Sequence, residues 1–248
     1  MAYVISKDDH LARSYKTQTI VFWWSLGIGA ALLGAWMFLL FFVSRPNIWV
    51  VVLLPAAAIG ALSFAKNRYH RLSALAAGIR GEKQALEVLK KLDNEHWIVT
   101  DKVISHRGRS SELDFVVIGP TGVCVIECKH LAGRVVADPE AQYWLQIKAS
   151  YTGVERKKSI YSPVKQVNTH LYRLKKFLKE KGVSVHLDCA VFFPDPETQL
   201  DIGKKDWETP IFWGEKGQDL LLKFLSKNRC PLTPPQVLEI AELLHAEN

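Results

Sequence analysis

Between Glu112 and Lys129 the chain reads ELDFVVIGPTGVCVIECK. After Glu112, three charged side chains stand in two apolar runs: Asp114 before the Gly119-Pro120-Thr121-Gly122 turn, and Glu127 and Lys129 after it. If Pro120 and Thr121 are the central residues of a two-residue turn, Gly119 pairs with Gly122, Ile118 with Val123, Val116 with Val125 and Asp114 with Glu127. Opposed residues of an antiparallel pair have Cβ atoms about 4.5–5.5 Å apart. Lys129, two residues beyond Glu127, falls on the same face. Two carboxylates that close repel, and apolar surroundings raise the cost of ionising either. A divalent cation relieves both costs; Mg²⁺ takes one or two carboxylates and leaves its other positions to water and phosphate. Lys129 is placed to orient an attacking water or to stabilise charge developing on a phosphate. A buried Asp114–Lys129 ion pair, with Glu127 at a solvated strand end, is the other reading of the same residues.

Several elements must position this group. Ile79 to Leu92 has Ala85, Leu86, Leu89 and Leu92 at the spacing of one helix face, and Glu82 lies on that face. Gly81 beside it permits close backbone approach, so Glu82 can point towards the sheet. Taken alone, Glu82 also reads as a first-turn acid favoured by the helix dipole. His96 to Ile104 reads as a strand and Ser105 to Ser111 as a polar loop. Gly133 to Ala137 and Tyr143 to Ile147 read as strands about an Asp138-Pro139 turn. Pro163 opens an amphipathic helix to about Glu180, closed by Gly182, and Val185 to Phe193 is a buried strand. Ile211 to Trp213 reads as a short strand, with tail helices over Gln218 to Lys227 and Pro234 to Ala246. That order predicts an α/β domain with a mixed sheet covered on both faces.

Upstream, Ile20 to Val43 is a run of 24 residues without charge, and Ile48 to Ala65 is a second of 18. Both fall in the range of about 17–25 apolar residues that spans a bilayer. The first is too long for the 7–15-residue core of a signal peptide. A two-pass hairpin is predicted, with Pro55 and the tight loop making the second helix the weaker one; a re-entrant segment is the alternative reading there. Lys7, Arg13 and Lys16 precede it, Lys66, Arg68 and Arg71 follow it, and the loop holds only Arg45. The positive-inside rule then puts both termini and the domain on the cytoplasmic side of the inner (cytoplasmic) membrane. Gly27, Gly29, Ala30 and Gly34 are either a packing face for a homodimer or ordinary small residues of such helices. The four cysteines form no CxxC pair, and Cys124 and Cys128 would lie about 13 Å apart at ~3.3 Å per strand residue. Buried free thiols in a reducing compartment are expected.

The segment GEKQALEVLKKL, then ELDFVVIGPTGVCVIECKHLAGRV, then SPVKQVNTHLYRLKKFL resembles a nuclease-related (NERD) domain of the PD-(D/E)xK nuclease superfamily. The resemblance covers about Ile79 to Phe193. It implies a restriction-endonuclease-like mixed sheet flanked by helices, and Mg²⁺- or Mn²⁺-dependent hydrolysis of phosphodiester bonds in DNA or RNA. It also implies a site of Glu82, Asp114, Glu127, Lys129 and Gln166, in which Asp114 and Glu127 hold the metal. The expected division is a cytoplasmic N-terminal segment 1–19, a transmembrane hairpin 20–65 and a juxtamembrane connector 66–78. A nuclease-like domain 79–200 and a helical extension 201–248 packed on it complete the chain.

The net charge of +7 is local: nine basic residues lie between Arg156 and Lys181. Lys165, Arg173 and Lys176 on the helix, with Arg107 and Arg109 in the loop before Asp114, are candidate phosphate contacts. A solvated helix face, or attraction to anionic lipid, would use the same charges. His170, one turn after Gln166, reads as a surface histidine. Two further functions fit the sequence: a nuclease-like domain that binds nucleic acid without cutting it, and a membrane scaffold or signalling protein whose tail helices recruit a partner.

Overall fold

Valine, isoleucine and phenylalanine crowd both sides of the Gly-Pro-Thr-Gly turn, and residues of that shape fit the two-sided interior of a pleated sheet. The computed structural model describes residues 1–6, 10–106, 108–149, 153–203, 207–227 and 230–246. Arg107 therefore lies outside the described residues. Two compact units are present: Asp9–Ile79, and Met1–Asp8 together with Arg80–Asn248.

The first unit holds helix α1 (His10–Phe42) and most of helix α2 (Ile48–Leu89), which runs through Pro55 without a break. Both are long and apolar enough to cross a membrane, and only 11% of each apolar window is buried. Trp36 Nε1 donates to the carbonyl of Val51 across the hairpin, and Arg68 donates to Gln18 Oε1. Gly29 is used inside the hairpin, since a Cβ there would stand 2.9 Å from Leu62 Cδ2. Gly27 and Gly34 have open space beside them. Residues 66–78, expected as a connector, are helical within α2.

The second unit is built on a six-stranded mixed sheet. Its strands, in spatial order, are β1 (Tyr3–Ser6), β2 (Trp97–His106), β3 (Arg109–Gly119), β4 (Gly122–Cys128), β8 (Leu187–Phe193) and β10 (Ile211–Trp213). The pairing of β3 with β4 follows the predicted register, from Gly119–Gly122 to Phe115–Ile126. One face packs on helices α3 (Pro163–Glu180) and α5 (Pro234–Ala246) through Val116, Val125, Val191, Leu174 and Ile240. The other packs on the end of α2 and on α4 (Gly214–Leu225) through Phe115, Ile126, Phe192, Leu89 and Leu221. The mixed sheet with helices on both faces is the predicted architecture.

Three features were not visible beforehand. Tyr3–Ser6 pairs parallel with Trp97–Thr100, so the extreme N-terminus is a strand of the sheet. Ile211–Trp213 extends the opposite edge through β8, so the tail contributes to the sheet as well as covering it. Its segments also hold the central turn: Thr121 Oγ1 donates to the carbonyl of Leu225, and Leu232 N–H to that of Pro120. Third, strands β5 (Gly133–Val136), β6 (Tyr143–Ala149), β7 (Glu155–Tyr161) and β9 (Thr198–Asp201) form a separate four-stranded sheet. Its inner face reaches the core through Val135 and Trp144. The strand at Glu155–Tyr161 is too polar for a periodicity reading to register.

Candidate active site

Side chains of β4 alternate between the two cores, Val123 and Val125 to the α3 side, Cys124, Ile126 and Cys128 to the α2 side. The next odd position, Glu127, is thereby sent towards α3, where it is 0% exposed. Lys129 Nζ stands 2.6 Å from Glu127 Oε1, and His170 Nε2 stands 3.3 Å from Oε2. Neither approach has the alignment of a hydrogen bond, and both carboxylate oxygens are buried without an aligned donor.

Asp114 sits where the ladder changes. The recorded β3–β4 rungs end at Phe115–Ile126, and the β2–β3 ladder skips the rung between Thr100–Phe115 and Lys102–Leu113. Asp101, opposite Asp114 on that skipped rung, has φ +52°, a conformation that aspartate tolerates better than most residues. Instead of a regular rung with Glu127, the Asp114 carboxylate accepts the backbone N–H of Cys128 at 2.8 Å. The departure comes from this local kink, which register arithmetic cannot see.

Glu82 is half-buried on the last turns of α2, and its charge bears on both Asp114 and the Cys128 thiol. The approach depends on Gly81: a Cβ there would fall 2.4 Å from His130 Cβ. That atom belongs to the root of a side chain and cannot swing away. Gly81→Ala is expected to cost about 1–3 kcal/mol, as overpacked sites do. Thermal unfolding checks the cost; wild-type stability in the variant would mean that the helix does not need this approach.

The electrostatics separate the two acids. Burial, reinforced by Glu127 and opposed by Lys129, pushes the Asp114 carboxyl well above the ordinary range. Burial also pushes on Glu127, but His170 and Lys129 outweigh it and hold that carboxylate low. Burial alone would lower Lys129; the two acids beside it raise it instead. The result is one carboxylate whose ionised form is favoured, one carboxyl whose ionisation is disfavoured, and an ammonium whose charge is favoured. The Glu127 carboxylate, whose buried oxygens lack an aligned donor, and the neighbouring Asp114 fit a small hard cation that keeps water and phosphate in its remaining positions. Among the described residues no three His, Cys, Asp or Glu side chains form a ready-made metal cage.

The remaining expectations divide. Gln166 is partly buried in the first turn of α3, on the face that carries His170. Ser162 caps this helix by accepting the N–H of Lys165. Lys165 is half-buried, Lys176 lies 5.5 Å over the Tyr172 ring, and Arg109 is exposed at the β2–β3 turn. Arg173 donates to the carbonyl of Ser110 at 2.6 Å and to Ser111 Oγ, tying α3 to β3. His170 corrects the reading of a surface residue; it is 8% exposed and faces Glu127. The signal was present in the apolar spacing Val164, Val167, His170, Leu174, which places the imidazole on the buried stripe.

Residues 77–194 match the family model described as Nuclease-related domain (NERD). A curated relative, an uncharacterized protein of Bacillus anthracis, is 30% identical over 120 residues, 47% of this chain and 53% of that protein. The chain thus spans about half the length of that relative. No solved structure matches.

Proposed function

From the premise that residues 77–194 carry a nuclease-related domain, we propose that the chain is a membrane-anchored, metal-dependent nuclease that hydrolyses phosphodiester bonds of DNA or RNA. The observation that carries this reading is the buried Glu127 carboxylate, whose two oxygens face Lys129 and His170 without an aligned donor, with Asp114 on the neighbouring strand. Asp114 and Glu127 would hold Mg²⁺ or Mn²⁺, and the bound ion would polarise the scissile phosphate and lower the pKa of a coordinated water.

The chain's own residues do the rest. Lys129 places a fixed positive charge where the pentacoordinate phosphate gains negative charge. His170 borders Glu127 from the helix side and offsets its charge when protonated, and the Cys128 N–H fixes one oxygen of Asp114. Glu82 adds negative charge from the opposite side, which favours a cation at the cluster. Gln166 is placed one turn from His170 to contact the substrate or the attacking water.

Cleavage of labelled single- and double-stranded DNA and RNA by the full chain in detergent tests this reading. Cleavage that requires Mg²⁺ or Mn²⁺ and stops in chelator is expected. Salt-sensitive binding without cleavage in any metal would overturn it in favour of a nucleic-acid-binding module.

For the anchor, the observation is that Tyr3–Ser6 is a strand of the same sheet as the domain. The segments before α1 and after the hairpin therefore share one side of any bilayer that α1 and α2 cross. The basic residues flanking the hairpin put that side in the cytoplasm. A cysteine introduced by Asn47→Cys is expected to react with an impermeant maleimide in intact spheroplasts, and Cys230 only after lysis. The reverse pattern would refute the orientation.

A further inference from the structure

The small sheet carries a surface that the cluster does not use. Its edge strand β7 (Glu155–Tyr161) is exposed along its length except at Ile160. It presents Arg156, Lys157 and Lys158 in succession. Lys148 stands directly opposite Arg156, a like-charge pairing that destabilises a ladder. Among the described residues none of these four cations has an ion-pair partner. Lysines on an edge strand discourage strands of other molecules from pairing there, and that would account for the charge alone.

It does not account for the aromatic residues beside it. Trp144 and Gln146 of β6 point inward and are buried, so Tyr143, Leu145 and Ile147 occupy the outer face. Their partners across the ladder are Tyr161, Ser159 and Lys157. Tyr143 and Tyr161 are 57% and 42% exposed and meet edge to face, with ring centroids 5.9 Å apart. Lys157 shares the face of the two open tyrosine rings, while Arg156 and Lys158 alternate to the other side of the exposed edge strand. Rings with a cation on their own face and two more along the edge match what single-stranded nucleic acid needs: π-faces for bases and charges for the backbone. Duplex DNA hides its bases in the stack and offers such rings nothing.

The surface is also joined to the cluster. Tyr161 is one residue before Ser162, the cap of the helix that carries Gln166 and His170. A cleft of about 600 Å³ has Tyr161 at one part of its wall and Lys165 and Thr169 at another. Glu140 and Glu208 line it as well, which puts the phosphates on the β7 side and leaves the cleft to bases. We propose that the outer face of β6 and β7, with Tyr143, Tyr161 and Lys157 and bordered by the exposed edge cations Arg156 and Lys158, is a landing surface for single-stranded nucleic acid that leads a strand to the α3 end of the site. This rests on the nuclease reading above and specifies its substrate class.

The test is fluorescence anisotropy of the full chain in neutral detergent, in chelator so that nothing is cut. A labelled 30-nucleotide single strand, the same sequence as a duplex, and vesicles with 30% phosphatidylserine are the probes. The wild type is expected to bind the single strand more tightly than the duplex. Tyr143→Ala with Tyr161→Ala should weaken single-strand binding about tenfold or more, leaving duplex binding and the unfolding temperature unchanged. Arg156→Gln, Lys157→Gln and Lys158→Gln together should flatten the salt dependence by about two units of slope. Equal binding of both nucleic acids, or unchanged single-strand binding in both variants, would overturn the proposal. So would loss of vesicle binding alone, which would assign the patch to lipid. Failure here with intact metal-dependent cleavage removes the landing surface and leaves the nuclease; absence of cleavage in the wild type removes the nuclease.

Discussion

Asp114→Asn is expected to abolish metal-dependent cleavage and, at neutral pH without metal, to raise the unfolding temperature above that of the wild type. The reason lies in the direction of the Asp114 shift. Its carboxyl is pushed well above the ordinary range by burial and by Glu127. A group whose folded pKa is raised stabilises the fold below its unfolded pKa of about 3.9, and that contribution is lost as pH rises through the folded pKa. At neutral pH the ionisation of Asp114 therefore works against the wild-type fold. Asparagine keeps the shape and the acceptor for the Cys128 N–H but has no proton to lose. The difference in melting temperature should vanish near pH 3–4 and open as pH rises. Saturating Mg²⁺ should close it again from the other side, because metal bound only to the folded wild type adds stability. The activity loss should be at least about 10²–10³-fold, the scale for removing one group that meets charge in the transition state. An asparagine variant that still cleaves, or that is less stable than the wild type at neutral pH, would remove Asp114 from the proposed role.

Lys129→Ala is expected to have the largest effect on stability, and a second substitution separates its two roles. Glu127 is fully buried and its charge is compensated by Lys129 at 2.6 Å and His170 at 3.3 Å. Removing one partner of a buried pair leaves an uncompensated charge and costs about 3–5 kcal/mol. Adding Glu127→Gln removes that charge, so the double variant should regain most of the loss. A purely structural ion pair predicts the same recovery, and activity decides between the two. With Glu127 and Lys129 holding metal and transition-state charge, the double variant stays inactive while it is well folded. Urea unfolding of the wild type, both single variants and the double variant gives the coupling energy, and the cleavage assay is run on the same samples. Cleavage restored in the double variant would mean that the lysine only balances charge.

The same residues show how far a reading of the sequence carries. The register of the β3–β4 hairpin followed from one assumption about a two-residue turn, because strand pairing has a period of two and a tight turn leaves no slack. Glu82 was legible as an acid on an apolar helix face beside a glycine, and the clash awaiting a Cβ at Gly81 gives that glycine its reason. The kink at Asp101 was not legible. It is one residue in an uncommon backbone conformation, and no pattern of residue types announces it. The tie that Arg173 makes between helix and strand was not legible, because a cation on a polar helix face looks the same whether it meets solvent or the Ser110 carbonyl of another strand.

By itself the sequence determined most of the elements of the domain, the two apolar spans and the central register. These depend on local periodicity, composition and turn chemistry, all of which act between near neighbours in the chain. Tertiary structure decided what meets across long separations. It brought residues 3–6 to the edge of the sheet and the tail to the central turn, and it separated a small second sheet with open tyrosines. It also turned His170 from an unremarkable helix position into a neighbour of Glu127, 43 positions earlier in the chain. Such contacts form only when two cores pack on opposite faces of one sheet, since that packing fixes which side of β4 faces which helix.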